Sequence, residues 1–211
     1  MDAGYSKKVK ILLFIVSILM IHSLSGCVNL KCSYVPNDFL VNGWYENISL
    51  RNTGLHFLGL EKWCNVIYEV KGKYSASLIV TSLKSLFLED ENELYDILKN
   101  IIQENFKDKI SIIESSKIMG ERYNFNNHKT KYIIYDCIDS EKQLAIKMIG
   151  EVWNCQTSGS SIICIGIAYT SNEENLTINN LSNWQKIVED PYGNIGNYYG
   201  EEGLIYNIKC H

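Results

Sequence analysis

Residues 162–168 are the segment of this sequence that most restricts the fold. The run Ile-Ile-Cys-Ile-Gly-Ile-Ala is apolar throughout, so a strand built from it has no polar face. Such a strand is stable only where both faces of its sheet are covered by other parts of the chain. The sequence therefore predicts a sheet whose central strand comes from residues 162–168.

Other strand-like segments surround this central one, and they are bounded by turn-forming residues. They cover residues 44–50, 55–60, 64–70, 74–83, 110–119, 122–125, 130–137 and 144–154. Residues 91–108 instead repeat apolar side chains every three or four positions, which predicts a long helix with Asp90 and Glu93 in a capping box. A short helix is predicted for residues 181–189, before Pro191. This order predicts an α+β fold, an antiparallel sheet flanked by one long and one short helix.

The order of elements over residues 43–189 is similar to that of PsbP-like domains, which are α/β sandwiches of extrinsic photosystem subunits and small lipoproteins. The resemblance rests on element order and carries no motif. It implies a PsbP-like sandwich and a role in binding or assembly, with no catalytic residue to carry over. Residues 150–155 and 162–166 also resemble uncharacterised prokaryotic lipoproteins, which implies no further function.

The first 26 residues have the zones of a secretory signal, because lysines precede an apolar run over residues 11–21. That run is shorter than the roughly 20 residues that a membrane-spanning helix needs. The sequence Leu24-Ser25-Gly26-Cys27 then resembles the lipobox of prokaryotic lipoproteins, which is cleaved just before its cysteine. The resemblance implies a lipid on Cys27 that anchors the mature protein to a membrane, outside the cytoplasm. The alternatives are an ordinary secretory signal with a chance cysteine and an uncleaved anchor.

This interpretation divides the chain into a signal peptide (residues 1–26), a tether (residues 27–42) and a single domain (residues 43–211). The tether lacks periodicity and contains Pro36. The remaining residues are enough for one domain with its own core. The full sequence has a net charge of −4, and removal of the lysine-rich signal makes the remainder more acidic. An acidic exported protein is not expected to bind nucleic acid.

Six cysteines remain after the lipobox cysteine, and an even number in an exported protein favours disulfide bonds. Cys155 and Cys164 flank a Ser-Gly-Ser-Ser turn, so we expect them to face each other on adjacent strands and to form a disulfide. Cys210 lies next to the C-terminus, where a disulfide would hold the chain end. We expect Cys64 to be its partner.

Cys137 is expected to be a buried free thiol on a strand, and Cys32 falls within the tether. A rival hypothesis is a metal or redox site made from several cysteines and the terminal histidine. Its members would be Cys64, Cys155, Cys164, Cys210 and His211. The sequence contains no Cys-x-x-Cys motif, so disulfides are the favoured interpretation.

No motif for catalysis, phosphate binding or dinucleotide binding occurs in the sequence. His56, His128 and His211 are far apart and lack the spacing of metal-ligating pairs, so we expect no metal and no cofactor. Packing in the core or on the surface is the expected role of each of these histidines.

Tyrosines alternate with glycine and asparagine near the C-terminus, and Tyr192, Tyr198 and Tyr199 are the candidate ligand-binding residues. A tyrosine ring with its hydroxyl suits sugars, peptides and protein partners, although such rings also cover sheets. We therefore predict a non-catalytic binding or assembly protein, anchored to the cell membrane outside the cytoplasm, with an envelope protein or a glycan as its partner. The alternative is an envelope enzyme, a hydrolase or thiol oxidoreductase, that uses dispersed residues.

Overall fold

A computed structural model describes residues 30–56, 61–70, 75–85, 90–106, 108–170, 178–189, 195 and 203–210. Its main element is one antiparallel sheet of nine strands. The strands are β1 (Trp44–Glu46), β2 (Asn52–His56), β3 (Glu61–Val70), β4 (Ala76–Lys84), β5 (Ile110–Ile112), β6 (Ile118–Tyr123), β7 (Lys129–Asp139), β8 (Ala145–Cys155) and β9 (Ser160–Thr170). The α-helices are α1 (Glu91–Phe106) and α2 (Ile178–Val188).

Strand β9 lies at the centre of the sheet, which confirms the prediction from its two apolar faces. The strands follow the order β1-β3-β4-β9-β8-β7-β5, while β2 pairs with β3 and β6 pairs with β7. Cys164 of β9 has Val80 of β4 on one side and Glu151 of β8 on the other. Strands β4 and β8 therefore form hydrogen bonds with β9 along its two edges.

The two faces of the sheet are covered in different ways. The closed face carries side chains such as Val66 and Val80, and it packs against α2 and the segments at residues 30–40 and 203–210. The other face, which we call the helix face, carries Ile163 among others and packs against α1. Because side chains alternate along a strand, the same strands supply both faces.

Both ends of the described chain are attached to the closed face. The backbone N–H of Val35 donates to the hydroxyl of Tyr68 over 2.8 Å. Tyr34 and Lys209 form an antiparallel bridge, which joins the two end segments to each other. From residue 30 to residue 40, the stretch predicted as a tether is therefore packed as part of the folded body.

The predicted long helix is confirmed as α1. Its start is capped by Asp90, whose Oδ1 accepts the backbone N–H of Asn92 over 2.8 Å. The apolar stripe points at the sheet, and Leu94, Leu98 and Ile102 are buried. The hydrophobic periodicity of the sequence was thus sufficient to identify this element and its inner side.

Each helix packs over a glycine of a central strand. A Cβ atom built on Gly150 of β8 would lie 2.7 Å from Cδ1 of Leu98 in α1. A Cβ atom built on Gly166 of β9 would lie 2.5 Å from Cγ2 of Ile187 in α2. The missing side chains allow the two helices to approach the sheet closely from opposite faces.

The predicted fold class, an α+β sandwich with helices flanking the sheet, is wrong. The described residues form a mainly β structure in which nine antiparallel strands are accompanied by one long helix and one short one. Strands β7 and β9 extend beyond their predicted bounds and span 11 residues each. Irregular segments, rather than a layer of helices, cover much of the closed face. Element order alone implied the PsbP-like sandwich, and it contains no information about which segments cover each face.

Among the helices of the described residues, none combines the length and the apolar character needed to cross a membrane.

Candidate functional site: a tyrosine-lined cleft on the helix face

Helix α1 covers only part of the helix face. It packs on β8 and on the adjoining side of β9, whereas the side chains that β3 and β4 place on this face are only half-buried. Between these strands and the helix lies a groove of about 460 Å³. Its lining is mainly apolar and includes Trp63, Ile79, Leu83, Ile97 and Ile101.

A second depression of about 430 Å³ lies on the same face, at the opposite end of β3 and β4. Its floor follows one line across the sheet, because Tyr45 lies opposite Glu69, Glu69 opposite Ser77 and Ser77 opposite Ile167. We call this depression the tyrosine cleft. It is lined by Tyr45, Glu69, Val70, Ser75, Ala76, Ser77, Ile167 and Tyr169.

Tyr45 and Glu69 form the first side of the tyrosine cleft. The hydroxyl of Tyr45 donates to Oε2 of Glu69 over 3.2 Å, and the side-chain amide of Asn47 donates to the same oxygen over 2.9 Å. Partial burial, followed by the hydrogen bond to the Glu69 carboxylate, raises the pKa of Tyr45. The phenol therefore stays protonated at neutral pH and keeps its donor hydrogen.

Tyr169 forms the second side, and its position is set by two charged neighbours. Its hydroxyl donates to Oδ2 of Asp139 over 2.7 Å and accepts from the Lys142 ammonium over 3.3 Å. The same ammonium lies 4.9 Å from the centre of the Tyr169 ring. The backbone N–H of Lys142 and the Tyr169 hydroxyl lower the pKa of Asp139, so its carboxylate is charged when it holds the ring. Tyr169 is thus fixed before any ligand binds.

The tyrosine cleft places hydrogen-bonding groups beside flat aromatic rings. Glu69 supplies a carboxylate and Ser75 and Ser77 supply hydroxyls, while Tyr45 and Tyr169 border the space. A carboxylate repels an anionic ligand, and these polar groups would lose their water without compensation if a purely apolar ligand were bound. The lining therefore fits a ligand that is rich in hydroxyl groups and carries no negative charge.

Sequence analysis did not identify this cleft, because its lining comes from four strands and from no single motif. The available signal was the regular presence of polar residues such as Glu69 and Ser77 at positions that share one face of β3 and β4. The predicted ligand-binding residues Tyr192, Tyr198 and Tyr199 lie outside the described residues. So does Cys27, the predicted lipid attachment site.

The cysteine pairing differs from the predicted one. The structure pairs Cys155 with Cys210, with a Cα separation of 6.5 Å, and Cys32 with Cys64, with a Cα separation of 5.5 Å. The predicted pairs Cys155–Cys164 and Cys64–Cys210 are corrected accordingly. Both disulfides belong to the closed face, and each attaches one end of the described chain to the sheet.

The position of one turn explains the error. The β8–β9 hairpin closes earlier than predicted, so that Cys155 lies opposite Ser160 and Cys164 lies opposite Glu151. Cys155 and Cys164 are therefore displaced along the hairpin, beyond the short separation that a disulfide requires. A shift of two residues in the turn decides which cysteines can meet.

Cys137 and Cys164 are free and buried, which confirms the prediction of a free thiol at Cys137. Burial, with smaller contributions from nearby acidic groups, raises the pKa of the Cys137 thiol to about 12. Burial also raises the pKa of Cys164 well above its usual range. Both thiols are neutral at physiological pH, so neither is an activated nucleophile.

Arg122 and Glu151 form a buried ion pair on the closed face. Nε of Arg122 donates to Oε1 of Glu151 over 2.9 Å, and Nη2 donates to Oε2 over 2.6 Å. Each member of the pair forms a further hydrogen bond. Nη1 of Arg122 donates to the backbone oxygen of Val188, and the Thr130 hydroxyl donates to Oε1 of Glu151. Both charged side chains are 0% exposed, so the pair has a structural role and offers no surface to a ligand.

Searches against models of protein families, against curated proteins and against solved structures find no match to this chain. The tyrosine cleft, the cysteine pairing and the amino-acid sequence are therefore the observations from which a function is inferred.

Proposed function

We propose that this protein is a membrane-anchored, extracytoplasmic lipoprotein that binds a glycan of the cell envelope through the tyrosine cleft. The role is binding rather than catalysis. The observation that carries the proposal is the composition of the cleft, in which Tyr45 and Tyr169 border a space that also contains Glu69 and two serine hydroxyls.

Two features support a location outside the cytoplasm. The sequence Leu24-Ser25-Gly26-Cys27 resembles a lipobox and follows a signal-like segment. The Cys32–Cys64 and Cys155–Cys210 disulfides are typical of proteins from oxidising compartments, since cytosolic thiols are kept reduced. A lipid on Cys27 would place the folded body beside the membrane, where envelope polymers are available as ligands.

Sugar chemistry matches the cleft in three respects. The C–H faces of a sugar ring pack against aromatic rings such as those of Tyr45 and Tyr169. Its hydroxyl groups donate to a carboxylate and exchange hydrogen bonds with serine hydroxyls. The free oxygen lone pairs of Glu69 therefore have natural donors in a neutral oligosaccharide and none in a phosphorylated or carboxylated end group.

Binding of oligosaccharides to the full mature lipoprotein in detergent micelles tests the proposal. Probes are neutral and acidic oligosaccharides released from prokaryotic cell envelopes, and binding is measured by titration calorimetry. We expect a neutral oligosaccharide to bind, and Tyr45→Ala to weaken it by about tenfold or more because the stacking surface is lost. Tyr123→Ala is the matched control, since Tyr123 is exposed on the edge strand β6, outside the cleft.

Unchanged affinity in Tyr45→Ala would exclude the cleft as the binding site, and a panel without any bound oligosaccharide would exclude the glycan. Circular dichroism of each variant establishes that the sheet is intact. The anchor is tested separately by cell fractionation, where Cys27→Ser should move the protein out of the membrane fraction. A Cys27→Ser protein that remains firmly in the membrane contradicts the lipid anchor.

A further inference from the structure

His128 lies beside the Cys155–Cys210 pair, although the three residues come from distant parts of the chain. Cys155 is the last residue of β8, Cys210 belongs to the C-terminal segment, and His128 precedes β7. Nε2 of His128 is 3.4 Å from Sγ of Cys210. The two sulfur atoms and a ring nitrogen of His128 all lie within 4.8 Å of one another.

The backbone of His128 is held by hydrogen bonds that do not involve the disulfide bond. Its backbone N–H donates to Oδ1 of Asn124 over 2.9 Å, and its backbone oxygen accepts the N–H of Asn124 over 3.1 Å. The same loop is joined to the C-terminal segment, because the side-chain amide of Asn126 donates to the backbone oxygen of Ile208 over 3.1 Å. The histidine and Cys210 therefore remain neighbours when the sulfur–sulfur bond is open.

We infer that Cys155, Cys210 and His128 form a redox-gated site for Zn²⁺, which is closed as a disulfide and open as a dithiol. A dithiol reductant opens it by transferring two electrons and two protons. The Cys155–Cys210 bond breaks, two thiols form, and the reductant leaves as its own disulfide. Zn²⁺ then forms two Zn–S bonds and one Zn–N bond, while both thiols release their protons to solvent.

The chemistry of the three residues favours this ion. Zn²⁺ is bound by cysteine sulfur and histidine nitrogen in tetrahedral geometry. The three ligating atoms lie within 4.8 Å of one another, so a single ion can reach all of them once the sulfur–sulfur bond is broken and the two sulfur atoms move apart. Cys155 and Cys210 are both buried. Two thiolates neutralise the charge of Zn²⁺, so the occupied site is electrically neutral and suits a buried position. Three protein ligands leave the fourth position for a water molecule or another ligand.

The spacing rules used for sequences could not identify this site. Metal motifs place their ligands a few residues apart, whereas Cys155 and Cys210 are separated by 55 residues. The site lies on the closed face, and the tyrosine cleft lies on the helix face. The inference therefore does not rest on the proposed glycan binding.

Co²⁺ titration of the full mature protein tests the inference, because Co²⁺ replaces Zn²⁺ and reports thiolate ligation by its absorption bands. The protein is first reduced under native conditions with a water-soluble phosphine. We expect one Co²⁺ per reduced chain, thiolate-to-metal absorption in the near ultraviolet, displacement by Zn²⁺ and no binding to the oxidised chain. His128→Gln should weaken binding by about tenfold or more, and Cys210→Ser should abolish the thiolate signal of the site.

Cys164→Ala is the matched control, because it removes a free thiol that lies outside the cluster and should leave the titration unchanged. Equal Co²⁺ affinity in His128→Gln and the wild-type protein would overturn the inference. So would a reduced chain that keeps its circular dichroism spectrum but binds no Co²⁺. A pair that the phosphine reduces only in denaturant, or a chain that unfolds on reduction, would identify a purely structural disulfide and would equally overturn it.

Discussion

The closed face and the helix face of the same sheet differ in how they are held. The closed face is bound by α2, by both end segments, by two disulfides and by the buried Arg122–Glu151 pair. Within the described residues, the helix face has a single long helix above it, and half-buried side chains of β3 and β4 beside that helix. Among the described residues, the two disulfides and the buried ion pair thus lie on one side of the sheet.

This difference suggests that the closed face stabilises the fold and that the helix face binds ligands. A sheet fixed firmly from one side can leave part of its other side open without losing its shape. The groove beside α1 and the tyrosine cleft both lie on that open part. Four experiments test whether the two faces differ in packing and stability in this way.

The largest effect is expected from Glu151→Ala, which leaves the guanidinium of Arg122 buried without the carboxylate that neutralises its charge. Loss of one member of a buried ion pair costs about 3–5 kcal/mol, and urea denaturation measures the free energy of unfolding. The double variant Arg122→Met/Glu151→Leu should recover most of this loss, because it removes both charges and keeps the volume filled. Glu121→Ala is the control, since its ion pair with Lys129 is exposed and its removal should leave the denaturation midpoint unchanged.

A Glu151→Ala variant as stable as the control would show that water reaches Arg122 and that the closed face is less tightly packed than the structure implies.

The next comparison concerns two aliphatic residues of the helix face. Leu98 of α1 is fully buried between the helix and the sheet, whereas Ile79 is half-buried in the groove. Leu98→Ala should lower the free energy of unfolding by about 3 kcal/mol, because it opens a cavity. Ile79→Ala should lower it by about 1 kcal/mol, since less apolar surface is removed from contact. Equal losses in urea denaturation would mean that the groove is filled in solution, by a partner or by another part of the chain.

A smaller difference is expected between the two glycines under the helices. Gly166→Ala should cost about 2 kcal/mol and Gly150→Ala about 1 kcal/mol, because overpacking is less costly where neighbours can move. A Cβ atom on Gly150 would meet only terminal methyl carbons, those of Leu98 and Ile102, at the ends of flexible side chains. Ile187 above Gly166 is β-branched, and its backbone oxygen accepts the N–H of Ile205 over 3.2 Å. Thermal denaturation of both variants measures the difference, and a reversed order would contradict the comparison of the two faces.

The elements of this fold were more predictable from the sequence than their arrangement. Strands were identified by alternating apolar and polar residues or, for β9, by a continuous apolar run. Helix α1 was identified by apolar residues every three or four positions. These patterns are local properties of the chain. The sequence did not predict which segments pack on the closed face. Residues 30–40 and 203–210 show no hydrophobic periodicity, and tertiary contacts determine their positions. The cysteine pairing depended on the register of one hairpin, and the His128 cluster depended on three segments meeting in space. Patterns along the chain contain little information of this kind.

The smallest perturbation uses the two free thiols of the described residues, one on each face. Cys137 belongs to the helix face and Cys164 to the closed face. The raised pKa of each thiol keeps it protonated at neutral pH, so iodoacetamide reacts only after local or global opening of the structure. We expect Cys137 to be alkylated faster than Cys164, as measured by mass spectrometry over time, because detachment of α1 exposes the helix face while the disulfides keep the closed face covered. In denaturant the two thiols should react at the same rate. Equal rates under native conditions would mean that both faces open in one global event, and that the two sides of the sheet form a single cooperative unit.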